Sequence, residues 1–422
     1  LVGVVSFEKA VSIDNRRALR SNVVMGDEIH RMDDSQLPDV LRLLSAAGAT
    51  PRTVVSWKQD RMGALLLGEQ GSPTAAMPFA RRTLAVAPGR TVEVGWLSSN
   101  MLPTRMGFRR LGRNSVNRWA QLLPDMDALV VVRRDQPSLT ARWYAQVGFH
   151  EILAIRCLYL EMESPPASPA GRYRMAVVGC DELEAWQDEM LAVHRDVFGN
   201  YGGPVARHSD FWRGTLAHHY YKQHYQFQVI GLWGQKTLMG YAVVGWSGWH
   251  SKRPRMDILE LATRQWDAGV ALELIQTASQ LAWSKGVPQV RAVISVHDPY
   301  RSALGRIGFE DKWGYVMLAK WLHAQRYLDG LFGAVGNPSA TLEVRGEVPL
   351  SLRSADAGPN TPALRIQADA ATMTKLLLQR IETSAALHDG TLLSLQPGQG
   401  DGAQLSMALP WTPWVFHMLD YI

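Results

Sequence analysis

The chain is 422 residues long, 46% hydrophobic and 20% charged, with a formal net charge of +5. That length and apolar share describe two or three globular domains. The arginines are spread along the chain and form no basic block, which argues against nucleic acid as a partner. Two cysteines, Cys157 and Cys180, exclude a disulfide framework. No apolar run is long enough for a membrane span, and residues 1–25 lack a signal peptide's apolar core and cleavage pattern. The reading is a cytoplasmic protein without a membrane partner.

In chain order, Leu1 to Phe7 are apolar and Arg16, Arg17 and Arg20 follow, a pattern that fits an extra strand or an arm. Glu28 to Met32 reads as a strand, Asp33-Asp34-Ser35 as helix caps, and Leu37, Val40, Leu41 and Leu44 as one face of a helix. Strands are expected at Val54–Trp57, Gly63–Leu67, Arg82–Val86 and Val92–Leu97. The next stretch is the most informative. An apolar strand end (Trp96, Leu97, Met101, Leu102) runs through Pro103 into Arg109-Arg110-Leu111-Gly112-Arg113-Asn114. A helix follows with Val116, Trp119, Leu122 and Leu123 on one side, then the buried strand Ala128–Val132, then Tyr144-Ala145-Gln146-Val147-Gly148-Phe149.

A strand that feeds a glycine-bearing turn at a helix N-terminus is an anion site. The first helical N–H groups lack intrahelical partners, and the helix dipole favours negative charge there. Arginines around the turn add charge-assisted phosphate contacts. The pattern describes a pyrophosphate cradle.

After Glu163, Ser164-Pro165-Pro166-Ala167-Ser168-Pro169-Ala170-Gly171 reads as a linker. Beyond it come a helix over Asp181–Phe198 and an aromatic helix around Trp212–Tyr225. Strands are expected at Gln226–Trp233, Met239–Trp246 and Asp257–Ala262, then a helix through Ala271–Trp283 and a strand Val290–Val296. Leu304-Gly305-Arg306-Ile307-Gly308-Phe309 repeats Tyr144 to Phe149, so the second unit is an internal copy of the first. It has Leu304 in place of Tyr144, and Leu259-Glu260-Leu261-Ala262 leads to its helix without an Arg-x-x-Gly turn. Packing and walling a cleft are the roles left to it. From Gly330 a third unit has strands Thr341–Arg345 and Val348–Leu352, an irregular stretch with Pro359 and Pro362, and a helix capped by Asp369 carrying Met373, Leu376, Leu377 and Ile381. The chain closes on the aromatic run Pro410 to Ile422, which should be docked.

Strand, Arg-x-x-Gly-x-x, helix, strand and Tyr-x-x-x-Gly-Phe resemble the acetyl-coenzyme A motif of the Gcn5-related N-acetyltransferases. Two copies followed by a small strand-and-helix unit resemble, within them, the enhanced intracellular survival (Eis) family. The resemblance implies an α/β (α+β) fold: two tandem acetyltransferase folds with mixed, mostly antiparallel sheets, and a sterol-carrier-like α+β domain. Its units are 1–163 (coenzyme-binding, catalytic), 172–329 (degenerate) and 330–422. It assigns coenzyme contacts to Asn100, Met101, Leu102, Arg109, Arg110, Leu111, Gly112, Arg113, Asn114 and Thr140. Asn114 stands where the family has a small residue, and asparagine tolerates cap and left-handed conformations.

By the same resemblance Tyr144 donates a proton to the departing thiolate, and the α-carboxylate of Ile422 is the general base. Acetyl-CoA is the cosubstrate, a small-molecule or peptide amine is the acceptor, and the chain is a homo-oligomer, a hexamer. A lysine-like amine has a reference pKa near about 10.4, so a base must free it before it attacks the thioester. Tyrosine near about 10 lies above a thiol near about 8.5, so the phenol either protonates the thiolate or hydrogen-bonds to it. Two other classes stay open. One is acyl transfer with another donor, as in N-myristoyltransferases or aminoacyl-tRNA-dependent peptidyl transferases. The other is a non-catalytic binder of an apolar ligand. No metal is expected: His218, His219 and His224 point to different helix faces and no acidic ligand pattern follows.

Overall fold

A computed structural model describes residues 29–46, 63–69, 72–97, 113–217, 226–247, 254–333, 340–344, 350–352, 364–389, 393–394, 409 and 411–417. The first copy runs β1 (Ile29–Arg31), a 3₁₀ turn and α1 (Leu37–Ala46), β2 (Gly63–Glu69), β3 (Ser72–Ala87), β4 (Arg90–Leu97), α2 (Arg113–Leu122), β5 (Ala128–Arg134), α3 (Leu139–Gln146) and β6 (His150–Glu161). The second runs β7 (Arg174–Val178), α4 (Gln187–Phe198), α5 (Phe211–Ala217), β8 (Gln226–Gly234), β9 (Thr237–Ser247), β10 (Arg255–Thr263), α6 (Ala268–Ser284), β11 (Gln289–Ser295), α7 (Arg301–Ile307) and β12 (Glu310–Trp321). Then come α8 (Ala324–Gly333), β13 (Ala340–Val344), β14 (Leu350–Leu352), β15 (Leu364–Ala368), α9 (Ala370–Leu377), α10 (Thr383–His388) and β16 (Leu393–Ser394).

The expected elements are present where they are described, with the differences below, and α8, α10, β12 and β16 were not expected. The segment from Cys180 to Trp186 is 3₁₀, so the α-helix begins only at Gln187. The strand expected at 82–86 extends over Ser72–Ala87. The third unit's helix ends at Leu377, so Ile381 is not on it. β7 and the parallel strand β15 were not foreseen. Val54–Trp57 and residues 1–25 lie outside the described residues.

Twelve strands form one sheet in the order β1-β2-β3-β4-β5-β12-β6-β11-β10-β9-β8-β7. Only β4–β5 and β10–β11 are parallel; their neighbours are antiparallel. Read outward from the middle, the two halves are copies related by pseudo-symmetry. Each half is closed by the other copy's last strand. β12 pairs with β5 from Tyr315↔Arg134 to Trp321↔Ala128, and β6 pairs with β11 from Gln289↔Glu161 to Ser295↔Ile155.

The centre of this sheet is buried on both sides. On β5, Leu129 and Val131 join one apolar cluster, with Trp119 and Phe149, while Ala128, Val130 and Val132 join the other. Strands buried on both faces read as continuous apolar runs, which is why Ala128 to Val132 has no polar alternation. The third unit lays α9 on β6 and β12, with Met373, Leu376 and Leu377 buried. Its own four-stranded sheet has the order β14-β13-β15-β16. Among the described residues no helix is long and apolar enough to cross a membrane.

The exchange makes each copy depend on the other. Residues 1–163 and 172–422 produced separately each lack an inner strand, and should show no cooperative thermal transition by circular dichroism until the two are mixed. A cooperative transition in the isolated 1–163 piece would mean that β5 does not need β12.

Candidate active site

In the first copy, β4 and β5 pair in parallel from Val94↔Ala128 to Leu97↔Val131, and β4 ends there. α2 begins at Arg113 and carries no acidic residue in its first turn. The strand end and helix start of the expected cradle are therefore in place. Asn100, Met101, Leu102, Arg109, Arg110, Leu111 and Gly112 lie outside the described residues, as does Ile422. Arg113 and Asn114 are the first two residues of α2. Thr140 is exposed in the first turn of α3, whose N-cap Ser138 accepts the Ala141 N–H at 3.0 Å.

Tyr144 sits on α3 and has no exposed surface. Its ring meets Trp143 and Phe149 edge-on, each at 5.1 Å between centroids. The phenol therefore belongs to the apolar cluster of the first copy. The Gly-Phe that follows has a structural cause. Gly148 takes φ +85°, and the Phe149 N–H donates to the Tyr144 carbonyl at 2.9 Å. In the second copy Gly308 takes φ +101° and the Phe309 N–H donates to the Leu304 carbonyl at 3.1 Å. The repeated motif is a helix stop, in which a left-handed residue lets the chain reverse.

The second copy's equivalent slot is closed. β10 and β11 pair in parallel only from Met256↔Val290 to Ile258↔Ala292, and β10 bulges between Ile258 and Glu260. Phe416 and His417, from the C-terminal segment, line the gap together with Glu260, Asp298, Tyr300 and Leu304. About 20 Å³ of cavity remains, room for one water. At the N-terminus of α6 the Asp267 carboxylate accepts the Gly269 and Val270 N–H groups at 2.8 and 3.1 Å. A phosphate arriving there would meet a carboxylate already holding those donors.

No protein-family model matches this sequence. No curated protein matches it at a significant level. Solved structures do. A GCN5-related N-acetyltransferase from Kribbella flavida superposes with a TM-score of 0.62 at 16% identity, covering 95% of this chain and 100% of its own. A protein of Enterococcus faecalis V583 described as a probable N-acyltransferase gives a TM-score of 0.65 at 12% identity, over 93% and 98%. Eis1 from Mycobacterium abscessus gives 0.55 at 13%, over 92% and 98%. The fold is that of the GCN5-related N-acetyltransferases. That fold is present twice in this chain, as two copies with their last strands exchanged.

Inside the second acetyltransferase copy lies a polar cluster that the sequence did not announce. The Glu260 side chain on β10 is fully buried and the Arg207 side chain beside it is 1% exposed. Arg207 Nη2 donates to Glu260 Oε2 at 2.5 Å, while Trp212 Nε1 and the Tyr241 hydroxyl donate to Oε1 at 2.7 and 2.6 Å. Burial alone would raise the Glu260 pKa. The Arg207 guanidinium, helped by the Tyr241 hydrogen bond, overcomes that and holds the carboxyl well below its usual range. His194 on α4 and His417 flank it, their rings 5.8 Å apart. Burial, then Arg207, push His194 well below its ordinary value, so it is neutral.

One donor atom from each of His194, Glu260 and His417 lies within 4.8 Å of the others, the spacing of a metal site. The chemistry argues against one. A permanent guanidinium already occupies the carboxylate, and two further donors take its lone pairs. A divalent ion would add charge to a buried pocket that Arg207 and Glu260 have balanced. The available signal was Glu260 itself, a charge inside the strand Leu259-Glu260-Leu261, which needs a buried partner. The partner is 53 residues away in sequence, where no local pattern reports it.

Glu260→Gln leaves Arg207 buried beside a neutral side chain. Breaking such a pair costs roughly 3–5 kcal/mol, to be read from the denaturant midpoint. A loss within the range of about 0–1 kcal/mol typical of surface pairs would show that the guanidinium reaches water.

Proposed function

We propose that this chain is an N-acetyltransferase that moves an acetyl group from acetyl-CoA to a primary amine of an aminoglycoside, polyamine or lysine-like acceptor. The observation that carries the reading is the contrast between the two slots. In the second copy the helix N-terminus is capped by Asp267 and the gap between the parallel strands holds Phe416 and His417. In the first copy the residue before the helix is Gly112 in the sequence, which brings no carboxylate to the place that Asp267 takes in the second. The first copy is the one left to take a pyrophosphate. Residues 1–163 would hold the coenzyme, 172–329 would wall the acceptor cleft, and 330–422 would form a domain of sterol-carrier type. Cys157 and Cys180, which form no disulfide with each other, fit a reducing compartment such as the cytoplasm. Burial pushes the Cys157 thiol up to about 12, which removes it as a nucleophile.

In this reading Arg109, Arg113 and the N–H groups of the Gly112 turn hold the pyrophosphate, with Asn100 to Leu102 along the pantetheine. The terminal carboxylate of Ile422 takes a proton from the ammonium, and the free amine attacks the thioester carbonyl. Backbone N–H groups near Met101 and Leu102 stabilise the oxyanion, and collapse releases the thiolate. Tyr144 is the proposed proton donor. Its packing against Trp143 and Phe149 weighs against that role, because a donor must bring its hydroxyl within hydrogen-bond reach of the sulfur.

A panel of amines assayed for thiol release, with acetyl and long-chain donors compared, tests the reaction class. Acetyl-CoA should be preferred, with Tyr144→Phe lowering kcat by roughly 10²-fold, as general acids do, and leaving coenzyme affinity by calorimetry nearly unchanged. Full turnover in Tyr144→Phe would return that residue to the core. Absence of acetyl-CoA binding to the intact chain would end the enzyme reading.

A further inference from the structure

Residues 411–417 cross the second copy as an extended strap. The Gly202 N–H donates to the Pro413 carbonyl at 3.0 Å and the Val415 N–H donates to the Gly202 carbonyl at 2.9 Å. Ser295 Oγ, at the end of β11, donates to the Trp414 carbonyl at 2.8 Å. The Thr412 N–H donates to the Gln379 carbonyl at 2.8 Å, and Arg380 Nη1 donates to the Thr412 carbonyl at 3.0 Å. The seat is fitted to the strap. A Cβ at Gly202 would lie 2.0 Å from Trp414 Nε1, and one at Gly203 would lie 2.2 Å from the Val415 carbonyl oxygen. Trp414 to His417 are all buried.

We infer that this strap, whose His417 ring lies against His194, is a latch that stays seated while the His194 imidazole is unprotonated and opens when it takes up a proton. Among the described residues, the titratable and charged groups around His194 and the strap come from several elements. α4 brings His194 and Arg195, and the connection before α5 brings Arg207. Tyr241 comes from β9, Glu260 from β10, and His297 and Asp298 from the turn after β11. Arg380 stands at the strap's start. Arg207 is a permanent cation, and Glu260 is already engaged by it, by Trp212 and by Tyr241. A proton on His194 puts a second cation beside Arg207 with that carboxylate already committed.

The direction of the pH effect follows. His194 is depressed below its ordinary 6.5 when buried, so below that pH the open form binds the proton and the seated form does not. Seating is therefore complete above the ordinary value and weakens as pH falls. Asp298 acts in the opposite sense. Burial pushes its carboxyl up to about 7, partly offset by the Tyr300 N–H. The seated form gains that proton below pH 7, which flattens the response. None of this depends on acyl transfer.

Hydrogen exchange of the 411–417 peptide in the full chain, corrected for the intrinsic rate at each pH and read by mass spectrometry, tests the latch. Protection should fall between pH 6.5 and 4.5 by about tenfold per net proton per pH unit, while the β11 peptide keeps its protection. Asp298→Asn should steepen the fall, and His194→Gln should abolish it. Equal wild-type protection at both pH values overturns the latch, and so does a His194→Gln variant as pH-sensitive as the wild type. Should that variant not fold, His194→Asn is read instead, and an unchanged slope overturns the proposal equally.

Discussion

The rest of the structure depends on the exchange of one strand at the centre of the large sheet. β6 leaves the first copy to lie between β12 and β11, and β12 returns to lie between β6 and β5. Both faces of this central region are covered, by α2 and α3 on one side of β5 and by the larger cluster, with α9, on the other. A one-residue slip would send every side chain of a strand to the wrong face, so the register of β5, β12, β6 and β11 is fixed from both sides. The separation of the two parallel-strand slots is fixed with it, because each slot begins one strand out from an exchanged neighbour.

This constraint explains why a copy with a closed slot remains part of the molecule. The second copy contributes β12, without which β5 would be an edge strand whose apolar residues had lost a neighbour. Its own slot was free to change. Asp267 caps the helix that would otherwise meet phosphate, and Leu304 stands in the place of Tyr144. Phe416 and His417 line what is left. A cleft between splayed strands is an apolar gap with unpaired backbone at its walls, and Phe416 with its neighbours fills that gap better than water would.

The acetyltransferase order of elements was legible because strands buried on both faces, helix caps and the Gly-Phe stops each leave a local mark. Asp369 does cap α9, with its carboxylate 2.7 Å from the Thr372 N–H. The exchange was not legible. Ala128–Val132 and Met317–Ala319 are apolar runs of similar character, and nothing in either states which partner it pairs with. Short edge strands such as β7, half-buried and lacking clear alternation, also leave little trace. The Tyr-x-x-x-Gly-Phe motif shows a different limit. Half of what it reports is the geometry of a helix ending, shared with the copy that has lost the tyrosine. Neither Glu260 nor its partners form a motif, since His194, Arg207, Tyr241 and His417 converge only after three separate elements and the chain terminus have packed.

The strap ties that convergence to the first copy. Residues 202–206 lie between two partners. On one side Gly203 N–H donates to the Ala85 carbonyl at 2.7 Å and Ala206 N–H to that of Thr83 at 2.8 Å, both on β3. On the other side Gly202 exchanges hydrogen bonds with Pro413 and Val415. The strap therefore extends the backbone pairing of the first copy's own β3 through a segment of the second. Local openings proceed in cooperative units defined by shared hydrogen bonds. Loss of the strap would remove the backbone partner on one side of residues 202–206 and leave their pairing with β3, which includes the Leu84↔Val205 bridge. A charge gained at His194 that unseats the strap would thus be felt at β3, in the first copy, through a run of backbone contacts and without any movement of the central strands.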